Sequence, residues 1–260
     1  MRLLAVRVLA VLCALTWLVV PGFGLIDLAV SWDPEWPVVL EAGWGVFMTL
    51  LLAGSFLAVA IRPTRAAPAT VTLATALAAL LVSAVAGLEW PLLAYAALLG
   101  VEASVVLLVP GRERVLPLTR STSAPLLLLA VVGAAPLVAQ AARMYRLNRQ
   151  GAGEAIGELT MGVDHHAVQG ALALALAVLA LIASVWPRGR RSIGTPVGLA
   201  AAYLGLVSFA FPGAWAGFGP AWSIACTAWG AAMAGLALSG RRPLQRREFR
   251  GEVVEAEGAL

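Results

Sequence analysis

Long apolar runs separated by short polar segments dominate this chain. A helix needs about 20 mostly apolar residues to cross the ~30 Å hydrocarbon core of a bilayer. Runs of this length cover residues 8–30, 38–61, 69–88, 92–109, 124–142, 167–185, 193–211 and 221–239. The pattern therefore predicts an all-α, polytopic membrane helix bundle with about eight transmembrane helices.

The first of these runs has two unusual features. Pro21, Gly22 and Gly24 interrupt it, so we expect its outer third to kink or unwind. Arg2 and Arg7 precede the apolar residues as they would in a signal peptide, but no small-x-small cleavage site follows. The run therefore predicts an uncleaved membrane anchor.

Composition supports a membrane protein and excludes several chemistries. The chain is 61% hydrophobic and 12% charged, with a mean hydropathy of +0.89, whereas soluble domains contain about 25% charged residues. All 18 basic residues are arginine, so a lysine Schiff base and a P-loop are excluded. The arginines form short clusters between apolar runs, which indicates a lipid bilayer as partner and no nucleic acid. Cys13 and Cys226 are isolated, so no disulfide framework is expected.

The arginine distribution predicts the orientation. With eight spans, fifteen of the 18 arginines fall on one side of the membrane, which the positive-inside rule makes cytoplasmic. Residues 1–240 are then a transmembrane bundle with both termini cytoplasmic and an outer loop at 143–165. Residues 241–260 form a cytoplasmic tail, whose arginines either bind anionic lipid headgroups or act as a stop-transfer signal. The Arg-only, Ala-rich usage is typical of high-GC bacteria, so the expected location is the bacterial cytoplasmic membrane.

Glu102 lies near the middle of the fourth predicted span. An ionisable side chain at this depth is costly unless it is paired, hydrated or neutralised, which makes it a functional candidate. One interpretation is a carboxylate that couples proton or cation movement. The alternative is a neutral glutamic acid bonded to a third-span hydroxyl, for which the candidates are Thr72, Thr75 and Ser83.

Asp164, His165 and His166 are consecutive at the start of the sixth predicted span. Asp164 is a plausible N-cap for that helix. Adjacent helical residues point about 100° apart, so the two histidines cannot comfortably face one ion. Helical metal motifs usually space their ligands at i and i+3 or i+4. As a metal signature the tripeptide alone is therefore weak.

Other carboxylates are expected at a similar depth on the outer side. They are Asp27 near the outer end of the first span, Glu41 near the outer start of the second, and Glu89 in the turn between the third and fourth. Together with Asp164 and the two histidines they would form a vestibule for cation binding or proton entry. In the alternative interpretation each one is simply interfacial, solvated or capping.

The outer loop 143–165 combines basic and acidic residues. Arg143, Arg146 and Arg149 continue the fifth helix and are candidates to bind an anion or a lipid headgroup. Glu154 and Glu158 are predicted to form an i, i+4 acidic edge on a short helix. The loop is either a lid over the outer mouth or an interfacial hairpin without a ligand. The aromatic segment 208–222 is predicted to be an aromatic belt in a turn.

Three functions remain open, and no enzyme motif favours catalysis. The first is a small-solute or cation/proton-coupled transporter that uses Glu102 and the vestibule. The second is a membrane protein with a divalent metal site at Asp164, His165 and His166, with further ligands from the set Asp27, Glu41, Glu89 and Glu158. The third is a non-catalytic subunit that packs against a membrane partner or a second copy. The transporter leads narrowly, because transport needs few diagnostic residues.

Overall fold

The computed structural model describes residues 2–108 and 122–239. In these residues, six helices are long and apolar enough to cross a membrane. Two shorter apolar helices, Leu3–Leu18 and Leu92–Val106, occupy the first and fourth predicted spans. The chain is thus a multi-pass helical membrane protein. Eight spans and cytoplasmic termini stay predictions, and the predicted tail 241–260 lies outside the described residues.

The elements follow the apolar runs closely. The helices are α1 (Arg2–Leu18), α2 (Gly24–Val30), α3 (Val38–Ile61), α4 (Ala67–Gly87), α5 (Leu92–Leu107), α6 (Ala124–Arg149), α7 (Ala152–Ile156), α8 (His165–Val185), α9 (Arg190–Ala210) and α10 (Pro220–Ser239). A 3-10 turn covers Pro63–Arg65, and two short strands are β1 (Leu159–Thr160) and β2 (Val163–Asp164). The middle of α3, Phe47–Ala53, is π-helical.

The first predicted span is broken where the sequence suggested. Helix α1 ends at Leu18, and α2 begins at Gly24 and packs on α3. A Cβ added at Gly24 would lie 2.8 Å from Met48 Cβ, so only glycine allows this close approach. The break therefore places α2 against α3 and buries Asp27 between them.

Helix α8 is the central helix of the bundle. It packs against α3, α4, α6 and α9, and alanine and glycine supply much of its buried surface. In the apolar 18-residue stretch of α8, 72% of residues are buried, against 22% in the corresponding stretches of α6 and α10. Small residues let neighbouring backbones approach closely, as lipid-embedded helices require. The N-terminus of α8 is therefore surrounded by protein.

The connection from α6 to α8 folds back over this N-terminus. Strands β1 and β2 pair antiparallel, with Leu159 opposite Asp164 and Thr160 opposite Val163. Gly157 and Gly162 make the turns with positive φ, which glycine tolerates without strain. The hairpin thereby brings two acidic residues, Glu158 and Asp164, to the first turn of α8.

Candidate metal centre

Six ionisable side chains from four parts of the chain meet at the N-terminus of α8. They are Asp27 from α2, Glu41 from α3, Glu158 and Asp164 from the connection, and His165 and His166 from α8; we call them the acidic–histidine cluster. The carboxylate residues are between 3% and 5% exposed, and both histidines are fully buried. Ionisable groups this deeply buried are rare unless they are paired or bind a metal.

The first half of the cluster surrounds His165. Asp27, Glu41 and His165 each offer one ligand atom, and these atoms all lie within 4.8 Å of one another. His165 Nδ1 lies 3.4 Å from Glu41 Oε1 and 3.2 Å from Glu158 Oε1. The ring of Trp44 lies against the imidazole, with 4.3 Å between ring centroids.

The second half surrounds His166. Its Nδ1 lies 2.8 Å from Asp164 Oδ1 and 3.0 Å from Glu158 Oε2. Asp164 Oδ1 also accepts the backbone N–H of His166 at 2.8 Å, so Asp164 is the N-cap that the sequence indicated. Trp215 Nε1 donates to His166 Nε2 at 3.0 Å. An indole only donates, so the proton of a neutral His166 is assigned to Nδ1, facing Asp164.

Several buried atoms of the cluster have no hydrogen-bond partner. They are both ring nitrogens of His165, both carboxylate oxygens of Glu158, and Asp27 Oδ2. An unsatisfied buried polar atom costs roughly 1–3 kcal/mol. Among them, His165 Nδ1 and Glu158 Oε1 face each other at 3.2 Å without a hydrogen bond, which is an arrangement that a bound cation satisfies.

The cluster carries an excess of acidic groups. Within the described ranges 2–108 and 122–239, three of its carboxylates form ion pairs with the two histidines, Asp27 forms none, and none of the four is paired with an arginine. The four carboxylates outnumber the two histidines, so the remaining negative charge needs another counter-charge.

Comparison with known proteins gives no relative to guide the interpretation. No family model, curated protein or solved structure matches this chain. The donor set must therefore be judged by its chemistry. It offers carboxylate oxygens and imidazole nitrogens, which suit Mn²⁺, Fe²⁺, Co²⁺ and Zn²⁺. Cys13 and Cys226, on α1 and α10, are free thiols outside the cluster.

Glu89 does not join the cluster. Its Oε2 accepts from Asn148 Nδ2 at 2.9 Å, and Asn148 Oδ1 accepts the backbone N–H of Ala167 at 3.1 Å. Glu89 therefore holds Asn148, and Asn148 ties the end of α6 to the first turn of α8. Of the predicted vestibule, the structure brings together the other three carboxylates and both histidines.

Glu102 forms a separate contact on the α1 side of α5. Its Oε2 accepts the indole N–H of Trp17 at 2.5 Å. The alternative in which a third-span hydroxyl binds Glu102 is wrong. Thr72 and Thr75 donate to carbonyl oxygens of their own helix. Ser83 bonds to the hydroxyl of Tyr145. Glu102 is thus satisfied by an indole instead.

The arginines of the outer loop also lie outside the cluster. Arg143, Arg146 and Arg149 are exposed on the last turns of α6, which continues to Arg149 as the sequence indicated. Arg143 Nη1 donates to the carbonyl oxygen of Gly217 at 3.4 Å. The candidate anion-binding role of the three side chains stays a prediction.

The sequence pattern misplaced Glu158 and missed two tryptophans. Helix α7 ends at Ile156, so Glu158 does not form an acidic edge with the exposed Glu154 but turns inward. The one local signal was Gly157, whose φ of 69° allows that turn. Trp44 and Trp215 were not predicted as site residues, yet each contacts one histidine.

Proposed function

We propose that this protein is a membrane metalloprotein that binds a divalent transition-metal cation through Asp27, Glu41, Glu158 and His165. The observation that carries the proposal is the group of buried, unpartnered atoms of His165 and Glu158 facing one another. Among the three functions drawn from the sequence, the metal site accounts for these atoms directly. A packing subunit would have no need to bury them.

The spacing of these atoms suits a metal. A ligand atom lies about 2.1 Å from a bound Zn²⁺ or similar ion, so two neighbouring ligands are about 3.0–3.4 Å apart in octahedral or tetrahedral geometry. His165 Nδ1 lies 3.2 Å from Glu158 Oε1 and 3.4 Å from Glu41 Oε1. A simple ion pair with a protonated histidine would instead be expected to form a hydrogen bond, and Nδ1 forms none.

Cation transport is a second candidate, favoured by the broken helix next to the cluster. Transporters often bind ions where membrane helices are discontinuous. Asp27 lies on α2 just after the break, and the π-helical segment of α3 begins at Phe47, close behind Glu41 and Trp44. π-helical segments are frequent at functional sites. A transporter would use the same cation site and release the ion to the other side.

Metal titration of the full-length protein in detergent tests the binding proposal. We expect the metal-free protein to bind Zn²⁺, Mn²⁺ or Co²⁺ stoichiometrically at pH 7.5. His165→Ala should weaken binding by more than about 100-fold, since even groups that only orient ligands cost 10–100-fold. Glu89→Gln is the matched control, because Glu89 is a carboxylate at the same end of the bundle outside the cluster. Equal affinity in the His165→Ala variant and the wild type would refute the proposal.

Vesicle assays separate binding from transport. Reconstituted protein should then be assayed for Mn²⁺ uptake with a dye enclosed in the lumen. Uptake that His165→Ala abolishes and Glu89→Gln preserves would establish transport. Stoichiometric binding without uptake would leave the protein as a metal-holding membrane protein.

A further inference from the structure

We infer that the cluster binds a second divalent cation, held by Glu158, Asp164 and His166, with Glu158 bridging the two ions. This inference rests on the proposed function, which concerns the first cation. The three residues each offer a ligand atom, and these atoms lie within 4.8 Å of one another. All three residues are buried.

Glu158 has the geometry of a bridge. Its Oε1 lies 3.2 Å from Nδ1 of His165, and its Oε2 lies 3.0 Å from Nδ1 of His166. Neither oxygen has a hydrogen-bond partner, although the residue is only 3% exposed. Each oxygen is thus presented to a different imidazole. Because consecutive helical residues diverge by about 100°, the two imidazoles are better placed to coordinate two ions than one.

The charge of the cluster also fits two ions. It contains four carboxylates and two imidazoles, and imidazole binds metals in its neutral form. One divalent cation would leave two negative charges buried without a basic partner among the described residues. A second cation would neutralise them, which removes a large cost of burial.

Binding of the second ion has a consequence for Trp215. His166 Nδ1 carries the ring proton while Nε2 accepts from the indole N–H. When Nδ1 coordinates a cation, it loses that proton and Nε2 takes one up, so the charge of the ring does not change. Two N–H donors then face each other, and the indole must leave.

Trp215 has room to move. It is 45% exposed and lines a cavity of about 560 Å³ together with Trp36 and Phe211. No hydrogen bond opposes coordination at His165, because neither of its ring nitrogens has a hydrogen-bond partner. The His165 half should therefore fill first, and the His166 half should fill second, with release of Trp215.

Counting bound ions tests the second site. Metal-free full-length protein is titrated with Mn²⁺, and electron paramagnetic resonance reports magnetic coupling between two ions that share a bridge. We expect two ions and a coupled signal in the wild type. Glu158→Gln removes the bridge and one ligand of the first cation, so it should hold one ion, more weakly and without coupling. Glu154→Gln, which changes an exposed carboxylate of the same connection, should hold two.

Trp215→Phe supplies a test that does not depend on Glu158. It keeps an aromatic ring but removes the competing N–H donor, so the second ion should bind about three- to tenfold more tightly, the value of one hydrogen bond. Weaker binding of the second ion in this variant would contradict the displacement of the indole. One bound ion in the wild type would overturn the second site and leave the proposed function standing. If the wild type binds no ion, both the second site and the proposed function are wrong.

Discussion

Asp164 combines a structural and a ligand role in one side chain. Its Oδ1 accepts the backbone N–H of His166, which caps α8, and lies within hydrogen-bond distance of the His166 ring. Asparagine caps helices about as well as aspartate, whereas alanine cannot cap. Two substitutions can therefore separate the roles.

We expect Asp164→Asn to keep the stability of the protein but to weaken the second cation, because a neutral amide is a poor ligand for a transition metal. Asp164→Ala should weaken the cation equally and also lower the free energy of unfolding by about 1 kcal/mol through loss of the cap. Metal titration and reversible unfolding in detergent measure the two effects. Equal stability of the two variants would show that the cap contributes nothing.

At this scale the sequence indicated candidates but not their grouping. Asp27, Glu41, Asp164 and both histidines were recognisable because ionisable residues near membrane spans are unusual. Glu89 met the same criterion, but it lies outside the cluster, where it accepts a hydrogen bond from Asn148. Nothing in a single sequence reveals which of several carboxylates at one depth converge, since that depends on how the helices pack.

At the scale of helices, α8 depends on glycine to approach α6. A Cβ at Gly170 would overlap the ring of Tyr145, whose hydroxyl bonds to Ser83 of α4. The ring cannot shift without disturbing that buried hydrogen bond. Overpacking in a tight core typically costs about 1–3 kcal/mol.

Gly170→Ala should therefore destabilise the bundle by about 1–3 kcal/mol while leaving the number of bound cations unchanged. Gly235→Ala is the control, because a Cβ at Gly235 of α10 meets nothing within 4 Å. Alanine is the better helix former, so that control should be neutral or slightly stabilising. Unfolding in detergent measures both variants, and a Gly170→Ala variant as stable as Gly235→Ala would disprove the close packing.

Apolar runs predicted the helices well, and the reason is physical. Lipid requires long apolar helices, so the run at 38–61 coincides with α3 and the break at Pro21–Gly24 follows from residues that interrupt helices. The connection between α6 and α8 was harder to predict, because its residues are polar and its elements are short. Its inward turn at Gly157 is stabilised by contacts with α8, which no periodicity reports.

At the scale of the whole molecule, the cluster joins α2, α3, the connection and α8. A cation bound by all four would cross-link distant parts of the chain and stabilise the folded state. Without the cation, the same residues should oppose folding, because buried carboxylates without a counter-charge are costly.

The stabilisation by a metal should consequently depend on pH. Cations compete with protons for their ligands, so binding is tighter at pH 8. The rise in melting temperature on adding Zn²⁺ should thus be larger at pH 8 than at pH 6. A metal-induced shift that is equal at both pH values would contradict the competition between cation and proton.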